Sequence, residues 1–595
     1  MNFIKTFLAG LLAFVVGSVL SFFLWFIILI GIAAAMGGSE PVVVSSESIL
    51  KIDLAETLTD APATDPMAGL DFLSMNVQKQ LPLFKALRAI DAAASDDRIK
   101  GIYLRMNGGG GIESLAVLEE LRAALAEFKE SGKFIVAYNE TYGQGGYYLA
   151  TVADKIYLQP QGGMDWVGLA SNLMFYKGFL DKLGVKAEVF RPTVCKYKSA
   201  VEPYILDKMS PANREQMQQL INSMWKTLSG TVAEARGIDY AALQKMTDNL
   251  EVVLPEDALA KKFVDGLLYE DQMDDVFAEL GVETDKNDEY RFVTLSQYAS
   301  QVPADLKKLS APQVAIVYAD GEIVDGEGSG DKIFGNSLAR TLADVREDED
   351  IAAVVLRVNS PGGSALASDI VWREMELLKA EKPVIVSMGG YAASGGYYIS
   401  CPADVIVADK MTLTGSIGVF GLMFNAHDAL VDKLGITIDG VKSNASASMT
   451  MVTPLTPIQR AAMMRGVDKV YETFTTNVAN GRNLTIAHVL DIAGGRVWSG
   501  EDAKSIGLID TYGGLKTAIA MAVDKAELGD KYRVTEVLDE PEGLAAIFAS
   551  LNAQVRSAIK RTQLGIAASD YERIREALSQ EGLRMYCPYK LDIQY

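Results

Sequence analysis

Hydrophobic and polar positions divide the chain into one long apolar run and many short ones. Residues 7–36, FLAGLLAFVVGSVLSFFLWFIILIGIAAAM, contain no charged side chain. About 20 apolar residues suffice to cross a bilayer as a helix, and this run is longer. It also exceeds the apolar core of an ordinary cleaved signal peptide. Lys5 precedes it, and Glu40 and Glu47 follow. The positive-inside rule therefore predicts residues 1–6 in the cytoplasm, 7–36 as a transmembrane anchor, and the remainder outside. A signal peptide cleaved near IAAA is the competing reading. Either one exports the bulk of the chain, which in a bacterium with two membranes means the periplasm.

Beyond the anchor, short β-branched runs such as KPVIVSMG (382–389) and ADVIVAD (403–409) alternate with helical stretches, and the pattern occurs twice. Residues 99–160 and 351–410 each read as a strand ending in LR-x-N, a Gly-rich loop, a helix, a strand, GGYY, and a strand after Ala-Asp. A repeat this long indicates two copies of one domain. The first copy is placed at residues 45–305 and the second at 311–535, with QYASQVPADLKKLSAPQ as a polar linker. Residues 536–595 remain as a C-terminal helical segment and tail. Strands alternating with helices predict an α/β fold with largely parallel sheets. In such folds the loops at the carboxyl ends of the strands build the site.

Composition narrows the function classes. The 595 residues carry a net charge of -21, which disfavours nucleic acid and anionic membrane surfaces as partners of the exported part. Cys195, Cys401 and Cys587 are far apart and have no metal-site spacing, so they read as buried free thiols. No cofactor or metal is expected.

Two loops of the second copy stand out: NSPGGS (359–364) and GYAASGGYYIS (390–400). In the latter, Ser394 sits between small residues where a strand hands over to a helix. It is either a packed turn or a nucleophile, and Gln144 is its counterpart in the first copy. A serine nucleophile needs a base. His427 and His488 both read as ordinary helix or loop residues. Lysine is the alternative, because burial disfavours the ammonium form. CKYKSAVEPY (195–204) in the first copy has no lysine-bearing counterpart in the second. One half lacks the serine and the other lacks the lysine, which suggests one composite site. Lys196 and Lys198 as plain surface lysines remain the alternative.

Four motifs in this order, YKSAVEP, NSPGGS, AASGGYY and TGSIGVFG, together with the anchor and the duplication, resemble the long form of the signal peptide peptidase A family. These are membrane-anchored serine proteases of the Clp protease/crotonase superfamily. The resemblance implies tandem Clp protease/crotonase-like domains, Ser394 as nucleophile and Lys198 as general base, with Lys196 as the fallback. It implies Ser416 as the lysine's hydrogen-bond partner. It implies an oxyanion hole from the backbone N–H of Gly395 and of Gly363 or Gly362. It further implies a homotetramer at the bacterial inner membrane, acting on remnant signal peptides and other hydrophobic peptides.

Three rival functions remain: a crotonase-like acyl-CoA enzyme, which export argues against; an inactive peptide-binding scaffold; and a related protease cutting other membrane proteins. The tail LRMYCPYKLDIQY alternates apolar and polar positions, as an edge strand or groove-lying segment would; a packed tail without function is the simpler expectation. Tyr147, Tyr148, Tyr397 and Tyr398 recur in both copies and read as packing residues.

Overall fold

The computed structural model describes residue 17 and residues 44–63, 70–71, 76–77, 80–106, 111–302, 310–538 and 583–587. The anchor expected at 7–36, Gly17 apart, and most of the segment 536–595 lie outside the described residues. Among the described residues no helix is long and apolar enough to cross a membrane.

Each half is built on a parallel sheet. In the first, the strand order is Gly266–Leu267, Lys155–Met164, Phe134–Tyr142, Ile99–Leu104, Ser48–Ile52, Arg291–Thr294. Every neighbouring pair is parallel. The second half repeats this order with Thr511–Tyr512, Val405–Ala408, Val384–Ala393, Ile351–Ser360, Gln313–Asp320 and Arg533–Val537. The identical order is the structural counterpart of the repeat read from LR-x-N and GGYY. Leu413–Gly415 and Val497–Ser499 extend the second sheet at its edge, the latter antiparallel.

Helices cover both faces, so the central strands are largely apolar, with polar residues towards their carboxyl ends. Val354, Val355 and Leu356 are fully buried, as are Ile385 and Val386. Helix Ala365–Glu381 starts where Ser364 accepts a hydrogen bond from the Ala367 N–H at 3.3 Å, a serine N-cap.

A third sheet joins the halves. Lys186–Phe190 of the first half pairs antiparallel with Phe420–Asn425 of the second. The sheet continues through Leu583–Tyr586, Gly362–Ser364, Glu322–Val324 and Lys332–Phe334. Residues Leu583–Tyr586 of the tail are thus an internal strand rather than merely packed, and residues 588–595 lie outside the described residues.

Buried ion pairs tie the halves together. Arg357, on Ile351–Ser360, contacts Asp60 at 2.5 Å and Glu120 at 2.6 Å, both from the first half. All three are buried.

Candidate active site

The second sheet delivers Ser394 to its edge loops. Strand Val384–Ala393 ends immediately before it and helix Gly395–Ser400 begins immediately after. Ser394 has φ 58 and ψ -113, a region costly for a residue with a Cβ. Such strain is held only where the surroundings enforce it. Its N–H donates to the Gly415 carbonyl at 2.8 Å, and the residue has no solvent exposure. Gly395 must be glycine: a Cβ there would lie 2.7 Å from Ser368 Oγ and 3.1 Å from both Gly362 Cα and the Gly363 N. The turn therefore presses directly on the NSPGGS loop.

Lys198 arrives from the other half. The cross-sheet strand Lys186–Phe190 leads into a turn pinned to the second half. There the Tyr197 N–H donates to the Gly494 carbonyl at 3.0 Å, and Arg191 donates to the Lys198 carbonyl at 2.7 Å. Lys198 Nζ lies 2.6 Å from Ser394 Oγ, 2.9 Å from Ser416 Oγ and 3.0 Å from the Ser416 carbonyl. The side chain is buried, with 2% exposure. Burial pushes its amine down to about 8; the thiols of Cys587 and Cys195 push weakly the other way. Among the described residues no carboxylate supports the ammonium form, so a minor but appreciable share of the amine, about one-tenth at pH 7, is neutral.

Ser416 also sits at positive φ, 52, with its N–H donating to the Arg496 carbonyl at 2.7 Å. Lys196 is exposed, with Nζ 4.9 Å from the Tyr197 ring, so of the two lysines Lys198 is the one beside Ser394. Neither histidine joins the cluster. His427 Nδ1 lies 3.0 Å from the Val452 carbonyl and His488 Nε2 lies 2.9 Å from the Ile506 carbonyl.

Of the two loop glycines, Gly362 has its N–H occupied by Ser360 Oγ at 3.1 Å. Gly363 N lies close to the Ser394–Gly395 turn, 3.1 Å from where a Cβ on Gly395 would be. Ser360 was missed by sequence reasoning, although it lies within the motif. Gly495 was missed as well. A Cβ on it would lie 2.5 Å from Lys198 Cβ, so its bare Cα holds the lysine in place. The Gly-Gly pair at 494–495 was its only signal.

The first half lacks this chemistry. Gln144 caps the equivalent turn, its Oε1 accepting from the Gly168 N–H at 2.7 Å and the Val167 N–H at 3.0 Å. The paired tyrosines pack as expected: Tyr147 donates to the Phe263 carbonyl at 2.7 Å and Tyr397 to the Leu508 carbonyl at 2.8 Å.

A family model, Peptidase family S49, matches residues 127–283 and 376–529. The chain belongs to peptidase family S49. Similar members of the family include a Protease 4 of Salmonella typhi, 36% identical, with the match covering 92% of this chain and 89% of that one. A Protease 4 of Haemophilus influenzae is 35% identical over 84% of this chain and 83% of its own. A chloroplastic serine protease SPPA of Arabidopsis thaliana is 33% identical over 80% and 70%. This S49 chain is a serine peptidase, and its two matched regions fall one in each half.

Proposed function

We propose that the protein is a membrane-anchored serine endopeptidase that uses a Ser394–Lys198 dyad to degrade remnant signal peptides. The observation that carries this reading is the 2.6 Å separation of Lys198 Nζ and Ser394 Oγ inside a buried site. The neutral amine accepts the Ser394 proton as Oγ attacks the scissile carbonyl. The backbone N–H groups of Gly395 and Gly363 receive the oxyanion; losing one such donor typically raises the barrier by about 3–4 kcal/mol. Lys198, now charged, protonates the leaving amine. Water then hydrolyses the acyl-enzyme, with Lys198 again as base. Ser416 orients the amine through its hydroxyl and carbonyl.

The substrate follows from the anchor. Residues 7–36 hold the two halves beside the periplasmic face of the inner membrane, where released signal peptides remain. Their apolar cores suit extended binding in a groove next to the dyad. Assembly as a homotetramer belongs to the same reading.

The test is hydrolysis of a synthetic signal peptide by the full chain in detergent, beside Ser394→Ala. Cleavage by the wild type and none by the variant supports the reading. A protein that cuts only folded membrane proteins, or Ser394→Ala with full activity, defeats it.

A further inference from the structure

The first half reaches the dyad through a helix as well as through the lysine turn. Helix Pro211–Arg236 packs on Val497–Ser499, the edge strand of the second sheet. Gln216, Gln219 and Ser223 recur on one face of this helix at the i, i+3, i+7 spacing. Ser223 Oγ lies 2.7 Å from Ser499 Oγ, and Gln219 Oε1 accepts from the Arg496 guanidinium. Gln216 Oε1 accepts from the Val497 N–H at 3.3 Å. The open side of an edge strand is thus covered by the other half.

Of these residues, Gln216 also holds the lysine turn. Its Nε2 donates to the Tyr197 carbonyl at 2.9 Å and to Ser199 Oγ at 2.8 Å, on either side of Lys198. The Val497 N–H can only donate and the Tyr197 carbonyl can only accept, so the partners fix which end of the amide is which. Ser199 Oγ donates to Asn213 Oδ1 at 3.0 Å, and Asn213 Nδ2 donates to Glu202 Oε2 at 3.0 Å. Ser199, Glu202, Asn213 and Gln216 are all buried. Buried polar groups are costly unless bonded, and these bond to one another and to the turn that carries the base. The strand at the far end of the amide serves the rest of the site. Val497 pairs with Gly415, whose carbonyl receives the Ser394 N–H, and the neighbouring Arg496 carbonyl receives the Ser416 N–H.

We propose that Gln216 is a positioning residue for proton transfer: its amide ties the Lys198 turn to Val497 and so holds Nζ at its distance from Ser394 Oγ. The proposal rests on the Ser394–Lys198 reading above. Gln216 acts through the backbone on either side of the lysine. A long side chain passes a small shift of its backbone on to its amine, and a misplacement of about 1 Å can cost about 10²-fold in rate.

The experiment uses the full chain in detergent with Gln216→Leu, Gln216→Glu and Ser223→Ala. Leucine removes the amide at similar volume. Glutamate keeps an acceptor for Val497 and sets a carboxylate where the donor to Tyr197 stood. Alanine at 223 cuts the link to Ser499 and leaves the lysine turn alone. A fluorophosphonate titrates the competent Ser394 sites and gives their labelling rate, and a fluorogenic peptide gives kcat and KM. Both Gln216 variants should lose about tenfold to a hundredfold in labelling rate and in kcat per titrated site, with KM within about twofold. Ser223→Ala should match the wild type. Counting per titrated site removes any fraction that fails to fold, so a merely structural role would leave that kcat unchanged. In a Lys198→Ala background, Gln216→Leu should make no further difference to the residual labelling, because the side chain it acts through is gone. If Gln216→Glu yields no titratable sites, Gln216→Leu decides alone. Wild-type kcat per site in either Gln216 variant overturns the proposal. So does an equal loss in Ser223→Ala, or an undiminished effect of Gln216→Leu in the Lys198→Ala background. A Lys198→Ala protein that labels as fast as the wild type defeats the dyad reading instead.

Discussion

Lys198 and Ser394 come from opposite halves of an internal repeat, yet their Nζ and Oγ atoms are 2.6 Å apart. Neither half holds both members, so the proposed dyad exists only where the halves dock. Ser394→Ala and Lys198→Ala should each lower kcat/KM by roughly 10⁴-fold or more, as loss of a unit that acts together does. Lys196→Ala should stay within about twofold, because its amine lies over Tyr197 in solvent. Circular dichroism and peptide hydrolysis check both. A folded, active Lys198→Ala would remove lysine from the mechanism.

The pH profile follows from Lys198. Its amine is depressed to about 8 by burial, and only the neutral form can take the serine proton. At pH 7 about one-tenth of the enzyme is competent, so kcat/KM should rise about tenfold per pH unit below pH 7 and about a further tenfold in all before a plateau above pH 8. An acid limb near pH 6.5 would point to a histidine instead.

Ser416 makes two of the polar contacts to that amine, at 2.9 and 3.0 Å. Ser416→Ala removes the hydroxyl and keeps the carbonyl. Losing a hydrogen bond to a charged partner costs about 1.5–3 kcal/mol, which is about tenfold to a hundredfold in rate. The loss should fall on kcat, with KM little changed, and the acid limb of the pH profile should move. A simple loss of stability would leave that limb in place.

Gly495 offers a test of positioning. Alanine there would meet Lys198 Cβ at 2.5 Å, whereas alanine at Gly435, also at positive φ, meets nothing within 4 Å. Both substitutions strain the backbone, and only one displaces the lysine. Gly495→Ala should lose about 10²-fold in kcat/KM, the scale for a misplacement of about 1 Å. Gly435→Ala should lose stability alone. Equal activities would show that Gly495 does not hold the lysine.

Much of this was legible along the chain because it is encoded locally. Small residues around Ser394 and the Gly-Gly pair after it announce a strand-to-helix turn, and the LR-x-N and GGYY repeats announce two copies of one sheet. Lys198 was legible only through its family motif and through the missing counterpart in the second copy. Contacts between distant segments left fainter traces. Gly495 meets Lys198 across roughly half the chain, and nothing near residue 495 records that neighbour. The tail's alternation was visible, but period-2 patterning does not name the strands on either side. Arg357 stood in plain view in LR-x-N, yet its partners Asp60 and Glu120 belong to the other half.

That arginine carries the docking of the two halves. Arg357 has about 1% exposure and holds Asp60 and Glu120 from the first half, while donating to Ser387 Oγ at 2.7 Å on the strand that leads to Ser394. Burial pushes the Glu120 carboxyl up, and the guanidinium is what pulls it back. Arg357→Ala leaves two carboxylates buried without their cation, a change that typically costs about 3–5 kcal/mol. The same loss should loosen the interface that delivers Lys198, so kcat/KM should fall although no catalytic atom has changed. Adding Asp60→Asn and Glu120→Gln to Arg357→Ala removes the uncompensated charge and should restore part of the stability. Denaturant unfolding of the single and triple variants measures this. A triple variant less stable than Arg357→Ala would mean that the carboxylates hold the interface through other partners.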